Sequence, residues 1–333
     1  MEFREWGLPW PGEEVAHEAE VAGASAFCSG EFADRDAYVG ACEMASATRS
    51  ARVGTAVAYA FTRAPWAHAA AVRQLARRAP GRIFLGLGAG TRRMNRDWFS
   101  VPFDPVLARM EELVGAIRAF LLADDGERVR FAGRFYAVDA HIRAPVMGAL
   151  DVPILLGAFH RGMLAVAGRC ADGVVGHGLF TDRYWCECVD ARLDAAARSC
   201  GRDPASLLRW GWLITAIDDE DPERARRDAR RMIAFYLTVK SYDALAQLHG
   251  WEREVGAIRE CFANGDVDAM AAAVPDDMLE AIAICGTQRE AAAMLASRRH
   301  LPTLVFASPP GFLVSERRRR AYARGAVALL GKT

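Results

Sequence analysis

The chain has 333 residues, 52 % of them apolar, and its 42 basic and 42 acidic side chains cancel. The apolar share allows a large core, and the absence of net charge argues against nucleic acid as the main partner. No apolar stretch reaches the ~20 residues of a membrane span, and Met1–Glu14 carries acids and prolines foreign to a signal peptide.

A strand-then-helix rhythm runs through the chain with no linker. Met1–Trp6 is a predicted first strand, Glu13–Gly23 a helix, Ser25–Ser29 a second strand and Asp36–Thr48 an Ala-rich helix. Arg52–Val57 is a third strand, and Pro65 opens the next helix, where proline is tolerated. Ile83–Leu87 is the fourth strand. Pro105–Leu122 has helical spacing through Leu107, Met110, Leu113, Val114, Ile117 and Leu121. Val129–Val138, with Gly133 at its centre, is expected as a small hairpin outside the rhythm. The rhythm resumes with Pro153–Gly157, a helix Gly162–Gly168, the strand Gly173–Gly176, a helix Tyr184–Cys200 and a seventh strand Leu208–Ile217. Residues 222–281 are helical and longer than one helix needs, so they are expected as an insertion before the last strand. Thr287–Glu290 has the spacing of a capping box, and Leu304–Ala307 closes the series. Eight strands alternating with helices predict an α/β fold, one (β/α)8 TIM barrel spanning 1–333 as a single domain. A doubly wound open sheet is the alternative, but the first strand lacks the G-x-G-x-x-G it would require.

The cysteines at 28, 42, 170, 186, 188, 200, 261 and 285 form no C-x-x-C pair and no zinc pattern. They are expected as reduced, mostly buried thiols of a cytoplasmic protein, with no metal. The basic run Arg317–Arg320 fits a solvated helix face.

The segment Arg82–Gly90 is the most telling. An apolar run, as in a strand buried on both faces, enters a loop with Gly86, Gly88 and Gly90 at every second position. Such glycines let backbone approach a bound group and offer N–H donors to an anion. Taken in order, ATRSARVGTAVAYAFTRAPW, GRIFLGLGAGTRRMNRDW, GRFY, VPILLGAFHRGMLAVAGRCADGVVGHG and GTQREAAAML resemble the bacterial-luciferase-like family of flavin-dependent oxidoreductases. The likeness is greatest to the branch containing methylenetetrahydromethanopterin reductase. It implies a barrel holding coenzyme F-420 (8-hydroxy-5-deazaflavin), alternatively FMN, at the C-terminal ends of its strands. The implied reaction is hydride transfer that reduces an activated C=C or C=N bond of a small-molecule or modified-peptide substrate, in a homodimer. An FMN-dependent monooxygenase and a cofactor-free binding or partner subunit of the same fold stay open beside it.

The resemblance also suggests roles for residues. A non-proline cis peptide at about Ala56–Val57, followed by Ala58 and Tyr59, would support the cofactor ring. Gly88, Gly90 and Asn95 would touch the cofactor, and Arg92, Arg93 and Arg96 would suit its anionic arm or be plain surface charge. Gly157-Ala158-Phe159-His160-Arg161 stands where relatives have a Gly-Ala-Ser-Gly-Pro-like phosphate turn. Phe159 and His160 replace the Ser and second Gly there. Gly176 lies after the sixth strand, with His177 as a candidate catalyst or a structural hydrogen-bonder. Glu31 is the acid of an acid–His pair whose His is replaced by Phe32, so it is expected as a general acid or as a solvated carboxylate. Phe32, Trp98 and Phe99 are expected to wall an apolar substrate pocket.

Overall fold

The computed structural model describes residues 5–142 and 148–331. Its strands are β1 (Glu5–Pro9), β2 (Ala26–Ser29), β3 (Arg52–Tyr59), β4 (Ile83–Gly88), β5 (Arg128–Ala132), β6 (Ala137–His141), β7 (Ile154–Gly157), β8 (Gly173–Gly176), β9 (Leu208–Ile217), β10 (Ala283–Gly286) and β11 (Leu304–Ser308). The large sheet has the order β10-β9-β11-β1-β2-β3-β4-β7-β8, and β8 also pairs with β9. That pairing closes a (β/α)8 barrel. All eight predicted strands are present. The first is displaced to Glu5–Pro9, and residues 1–4 of its predicted span lie outside the described residues.

Three segments depart from expectation. β10 is an additional strand that pairs in parallel with Ile214–Ile217 of β9. Only four residues long, it directly follows the helix Asp276–Ile282 and merges with the helical pattern. Arg92–Asp97 is a short helix capped by Thr91 rather than a loop. The expected helix Tyr184–Cys200 is a helical turn at Asp182–Tyr184, a π-helical stretch at Trp185–Asp190 and an α-helix at Ala191–Ser199. The cysteines are free, but only Cys28 and Cys285 are buried, so the expectation of mostly buried thiols fails. No helix among the described residues is long and apolar enough to cross a membrane.

The chain divides into two compact units. One comprises Cys28–Val175 and Arg192–Leu208. In it β3 and β4 run parallel and very close, because Gly54 and Gly86 have no side chain. A Cβ on Gly54 would lie 2.1 Å from the Phe84 carbonyl oxygen, and one on Gly86 2.2 Å from that of Thr55. The helix Val106–Leu122 buries Met110, Leu113, Val114, Ile117 and Leu121 of the predicted stripe, whereas Leu107, in its first turn, is exposed. Each such side chain contributes ~1.5–3 kcal/mol by leaving water. β5 and β6 form the predicted hairpin, antiparallel from Arg128 opposite His141. The Glu112 carboxylate fixes its turn by accepting from the backbone N–H groups of Arg134 (3.0 Å), Phe135 (2.7 Å) and Tyr136 (3.2 Å).

The other unit comprises the chain up to Phe27, Gly176–Ala191 and the chain from Arg209. Its 222–281 region forms five helices: Pro222–Leu237, Asp243–His249, Glu252–Ala263, Val267–Ala272 and Asp276–Ile282. The capping box is present: Thr287 N–H donates to Glu290 (2.8 Å) and Glu290 N–H to the Thr287 hydroxyl (3.3 Å). The basic run is tied into its own helix through Arg320 to Glu316 and to the helix Pro222–Leu237 through Arg318 to the buried Asp228.

Candidate active site at the ends of β2, β3, β4 and β7

The ends of four strands in the first unit carry most of the expected site. The Ala56–Val57 peptide is cis, where the resemblance placed it, and the β3–β4 register shifts between Thr55 and Ala58. This bulge sets Val57 over two glycines. A Cβ on Gly88 would lie 2.4 Å from Val57 Cγ2, and one on Gly157 3.2 Å from Val57 Cγ1. The missing side chains of Gly88 and Gly157 therefore make room for Val57, a packing reason that the expected approach of a ligand did not include. Gly90 has φ +66°, and a Cβ there would stand 3.5 Å from the Tyr59 ring. Residues 57–59, 88–90 and 157 thus share one edge of the sheet. Ala58 is wholly buried in the wall and Ala56 nearly so, which leaves Val57 and Tyr59 of that group half-exposed.

Glu31, just past β2, departs from the expected general acid. Its Oε2 accepts from Tyr59 N–H (2.6 Å) and Arg63 Nη1 (3.0 Å), and its Oε1 from Arg63 Nη2 (2.5 Å). Both oxygens are used as acceptors, so Glu31 here is an anchor for the chain after β3 rather than a group holding out a proton. Arg63 also reaches Asp36 (2.5 Å), which caps the helix Ala37–Ala47 through Tyr38 N–H and Val39 N–H. Burial works against the Arg63 charge, but the two carboxylates outweigh it and hold its pKa above the ordinary guanidinium value. Behind this network, Tyr38 Oη stands 2.5 Å from His68 Nδ1, and His68 Nε2 3.1 Å from the Ala60 carbonyl. The carbonyl can only accept, so Nε2 carries the proton and the Tyr38 hydroxyl donates to Nδ1. Burial lowers the His68 pKa to about 4.

Arg63, Tyr38 and His68 were absent from the sequence expectations. The available signal was positional: Arg63 stands in the loop between the β3 bulge and the Pro65 helix start, opposite an acid that lacks its usual His.

The aromatic residues expected to wall an apolar pocket lie instead around one that is charged as well as apolar. Phe32 and Trp98 meet edge to face with centroids 5.7 Å apart, and Tyr59 lies 4.8 Å from Phe99. With Glu31–Asp36, Thr62 and Arg63 they line an open pocket of about 510 Å³. Burial, with the Glu31 charge, raises the Tyr59 pKa to about 12.

Two expectations for the anionic arm are corrected. Asn95 is wholly buried. Its Nδ2 donates to the carbonyls of Ala89 (2.7 Å) and Thr91 (2.9 Å), so it ties the glycine loop to its helix rather than facing solvent. Its Oδ1 has no partner. Arg92, Arg93 and Arg96 are engaged with Asp104 and Asp97, the acids on the same loop. At the end of β7, Ala158 is buried and Phe159 half-buried, and His160 begins the helix Arg161–Cys170 without a side-chain cap. Its first amides are the kind of orphan donors that an anion satisfies. Arg161, the first residue of that helix, is exposed, and its guanidinium has no partner among the described residues.

Gly176 and His177 belong to the second unit. A Cβ on Gly176 would lie 2.3 Å from the Trp185 ring, so this glycine is required by packing, which overturns the reading that it is bare for a cofactor. His177 Nδ1 accepts from Leu179 N–H (3.2 Å), which leaves the proton on Nε2, 3.1 Å from Tyr242 Oη. The rings of Tyr236 and Tyr242 flank it at 4.5 and 4.7 Å. Burial lowers its pKa to about 4, so it is neutral near pH 7 and lacks the extra proton of a His acid.

The profile of the family described as luciferase-like monooxygenase matches residues 12–303. An uncharacterized protein of Mycobacterium tuberculosis is 32 % identical over 289 residues, 83 % of this chain and 85 % of that one. The 5,10-methylenetetrahydromethanopterin reductase of Methanolobus tindarius is 30 % identical over 287 residues, covering 83 % and 84 %. Among solved structures, the coenzyme F-420 dependent tetrahydromethanopterin reductase of Methanopyrus kandleri superposes with a TM-score of 0.77 over 98 % of both chains, at 20 % identity.

Proposed function

For a chain that belongs to the luciferase-like monooxygenase family, we propose a deazaflavin-dependent oxidoreductase that uses coenzyme F-420 to reduce an activated C=C or C=N bond. The carrying observation is the rim where the half-exposed Val57 covers Gly88 and Gly157, and where Gly90 lies beside the Tyr59 ring that lines the open pocket. The choice of cofactor is supported by an F420-dependent hydroxymycolic acid dehydrogenase of Mycobacterium tuberculosis, 30 % identical over 194 residues, 57 % of this chain and 51 % of that one.

The residues present fit such a group. Val57 and the half-exposed main chain at Ala89 and Gly90 would hold a flat ring. The helix start at Arg161, with its unpartnered guanidinium, would hold the anionic arm. When bound, the cofactor supplies the hydride. Glu31 and Arg63 fix the Tyr59 backbone, and so the position of the bulge. Tyr59, Phe99 and Trp98 keep water from the apolar side of the pocket. Tyr59, its pKa raised, keeps its proton at Oη and serves as a hydrogen-bond donor. The proton that completes the reduction comes from water at the open side of the pocket.

Titration of the purified chain with coenzyme F-420 and, separately, with FMN tests this reading. Saturable quenching of deazaflavin fluorescence is expected. Binding of FMN alone, with oxygen uptake by the reduced form, would replace it with the monooxygenase, and failure to bind either at tens of micromolar would end it.

A further inference from the structure

The pocket holds a second set of features that the cofactor-holding loops do not use. Phe32 is 49 % exposed and Trp98 54 %, and the two touch, so together they form one apolar patch open to solvent. A contiguous exposed patch with a polar rim marks a ligand surface. The rim carries the carboxylates of Glu31, Asp34 and Asp36 against the guanidinium groups of Arg35 and Arg63. Arg63 already serves Glu31, Asp36 and Thr62, and Arg35 lies 3.4 Å from Asp34. An incoming anion would thus meet more negative charge than positive, and no uncommitted guanidinium. The faces of Phe32, Tyr59, Trp98 and Phe99 carry the negative side of their quadrupoles, which attracts cations. Rim charge and ring faces favour the same sign of ligand.

We propose that this pocket selects a substrate with a cationic or protonatable nitrogen next to a flat ring, the ring lying on Phe32 and Trp98 and the nitrogen beside Asp34, the rim carboxylate that Arg63 does not hold. The inference rests on the redox reading above and narrows it to C=N reduction. A protonated C=N bond is the better hydride acceptor. Water protonates the nitrogen first; hydride given up by the reduced deazaflavin, one hydrogen with two electrons, then forms the new C–H bond at carbon, the π pair moves onto nitrogen, and the cation becomes a neutral amine.

Calorimetric titration of the full chain with benzyltrimethylammonium, benzyl alcohol and benzoate, which share one ring and differ in charge, tests the charge preference. The cation is expected to bind about tenfold more tightly than benzoate, with the alcohol between them. Trp98→Ala should weaken cation binding roughly fivefold or more. Phe32→Ala, on a different loop, should repeat the loss, so that a folding defect in one variant does not decide the matter. Equal or tighter binding of benzoate, no binding of any probe, or unchanged cation affinity in both variants overturns the proposal. The same preparation is titrated with coenzyme F-420. Binding of that cofactor without a cation preference sinks this inference alone, and absence of cofactor binding sinks the redox reading instead.

Discussion

Arg63 holds both oxygens of the Glu31 carboxylate, at 2.5 and 3.0 Å, while the same carboxylate takes the Tyr59 N–H at 2.6 Å. The pair is largely shielded, with 21 % of the Arg63 side chain and 10 % of the Glu31 side chain exposed. Arg63→Met would leave Glu31 and Asp36 without their shared counter-ion. A fully buried pair broken in this way costs 3–5 kcal/mol; the partial exposure here brings the expected loss to about 2 kcal/mol. Glu31→Gln keeps an oxygen for the Tyr59 N–H and should cost less. Denaturant melts of both variants check the ranking, and an Arg63→Met protein as stable as the parent would show that the grip carries no weight.

Val57 makes the glycines at 88 and 157 unequal. Gly88→Ala puts a methyl 2.4 Å from Val57 Cγ2, too close to stand, whereas Gly157→Ala brings one only to 3.2 Å. The first should displace the bulge and weaken coenzyme F-420 binding by about tenfold or more, and the second should do so mildly. Val57→Ala removes the obstructing methyls, so Val57→Ala/Gly88→Ala should recover part of the loss. A double-mutant cycle on the cofactor Kd reads the coupling, and strict additivity would refute the contact.

His68 and His177 both have pKa values lowered to about 4 by burial. An unfolded chain takes up these protons near pH 6.5, before the folded one does. Their contribution to stability is therefore complete above pH ~6.5 and is lost as pH falls toward ~4. For the wholly buried His68 the effect is on the order of 3 kcal/mol. Urea melts between pH 8 and 4 should show stability falling through this window. His68→Gln should flatten part of the slope, and an unchanged slope would argue that His68 titrates normally.

Arg161 is an exposed cation at the helix start after β7, without a partner among the described residues. Under the proposed function, Arg161→Gln should weaken cofactor binding by about tenfold, the worth of one charge-assisted hydrogen bond, and reduce its salt dependence. Equal affinity and equal salt dependence in parent and variant would move the anionic arm elsewhere.

Much of the barrel was legible because buried parallel strands and amphipathic helices have different apolar periods. The stripe from Met110 to Leu121 and the run Ile83–Leu87 show each plainly. β10 was hidden because four residues show no period of their own. The site was less legible, for a physical reason. The role of Glu31 depends on Arg63, 32 residues away, and the state of His177 depends on Tyr242, 65 residues away. Side chains that meet only in the folded chain leave no local pattern. Gly88 and Gly176 show the converse: a missing side chain is visible in sequence, but what fills its space, Val57 in one case and Trp185 in the other, is not.

β10 lies in register against Ile214–Ile217 of β9, and Asp218 N–H donates to the Gly286 carbonyl at 3.0 Å. The helical excursion therefore departs and returns at adjacent points on a single strand, like a pendant hung from a clasp. The entropy of closing such an excursion grows slowly with its length. Its connecting turns can therefore lengthen at small cost, whereas its helices stay pinned through Asp228 to Arg318 and Tyr322 and through Tyr242 to His177.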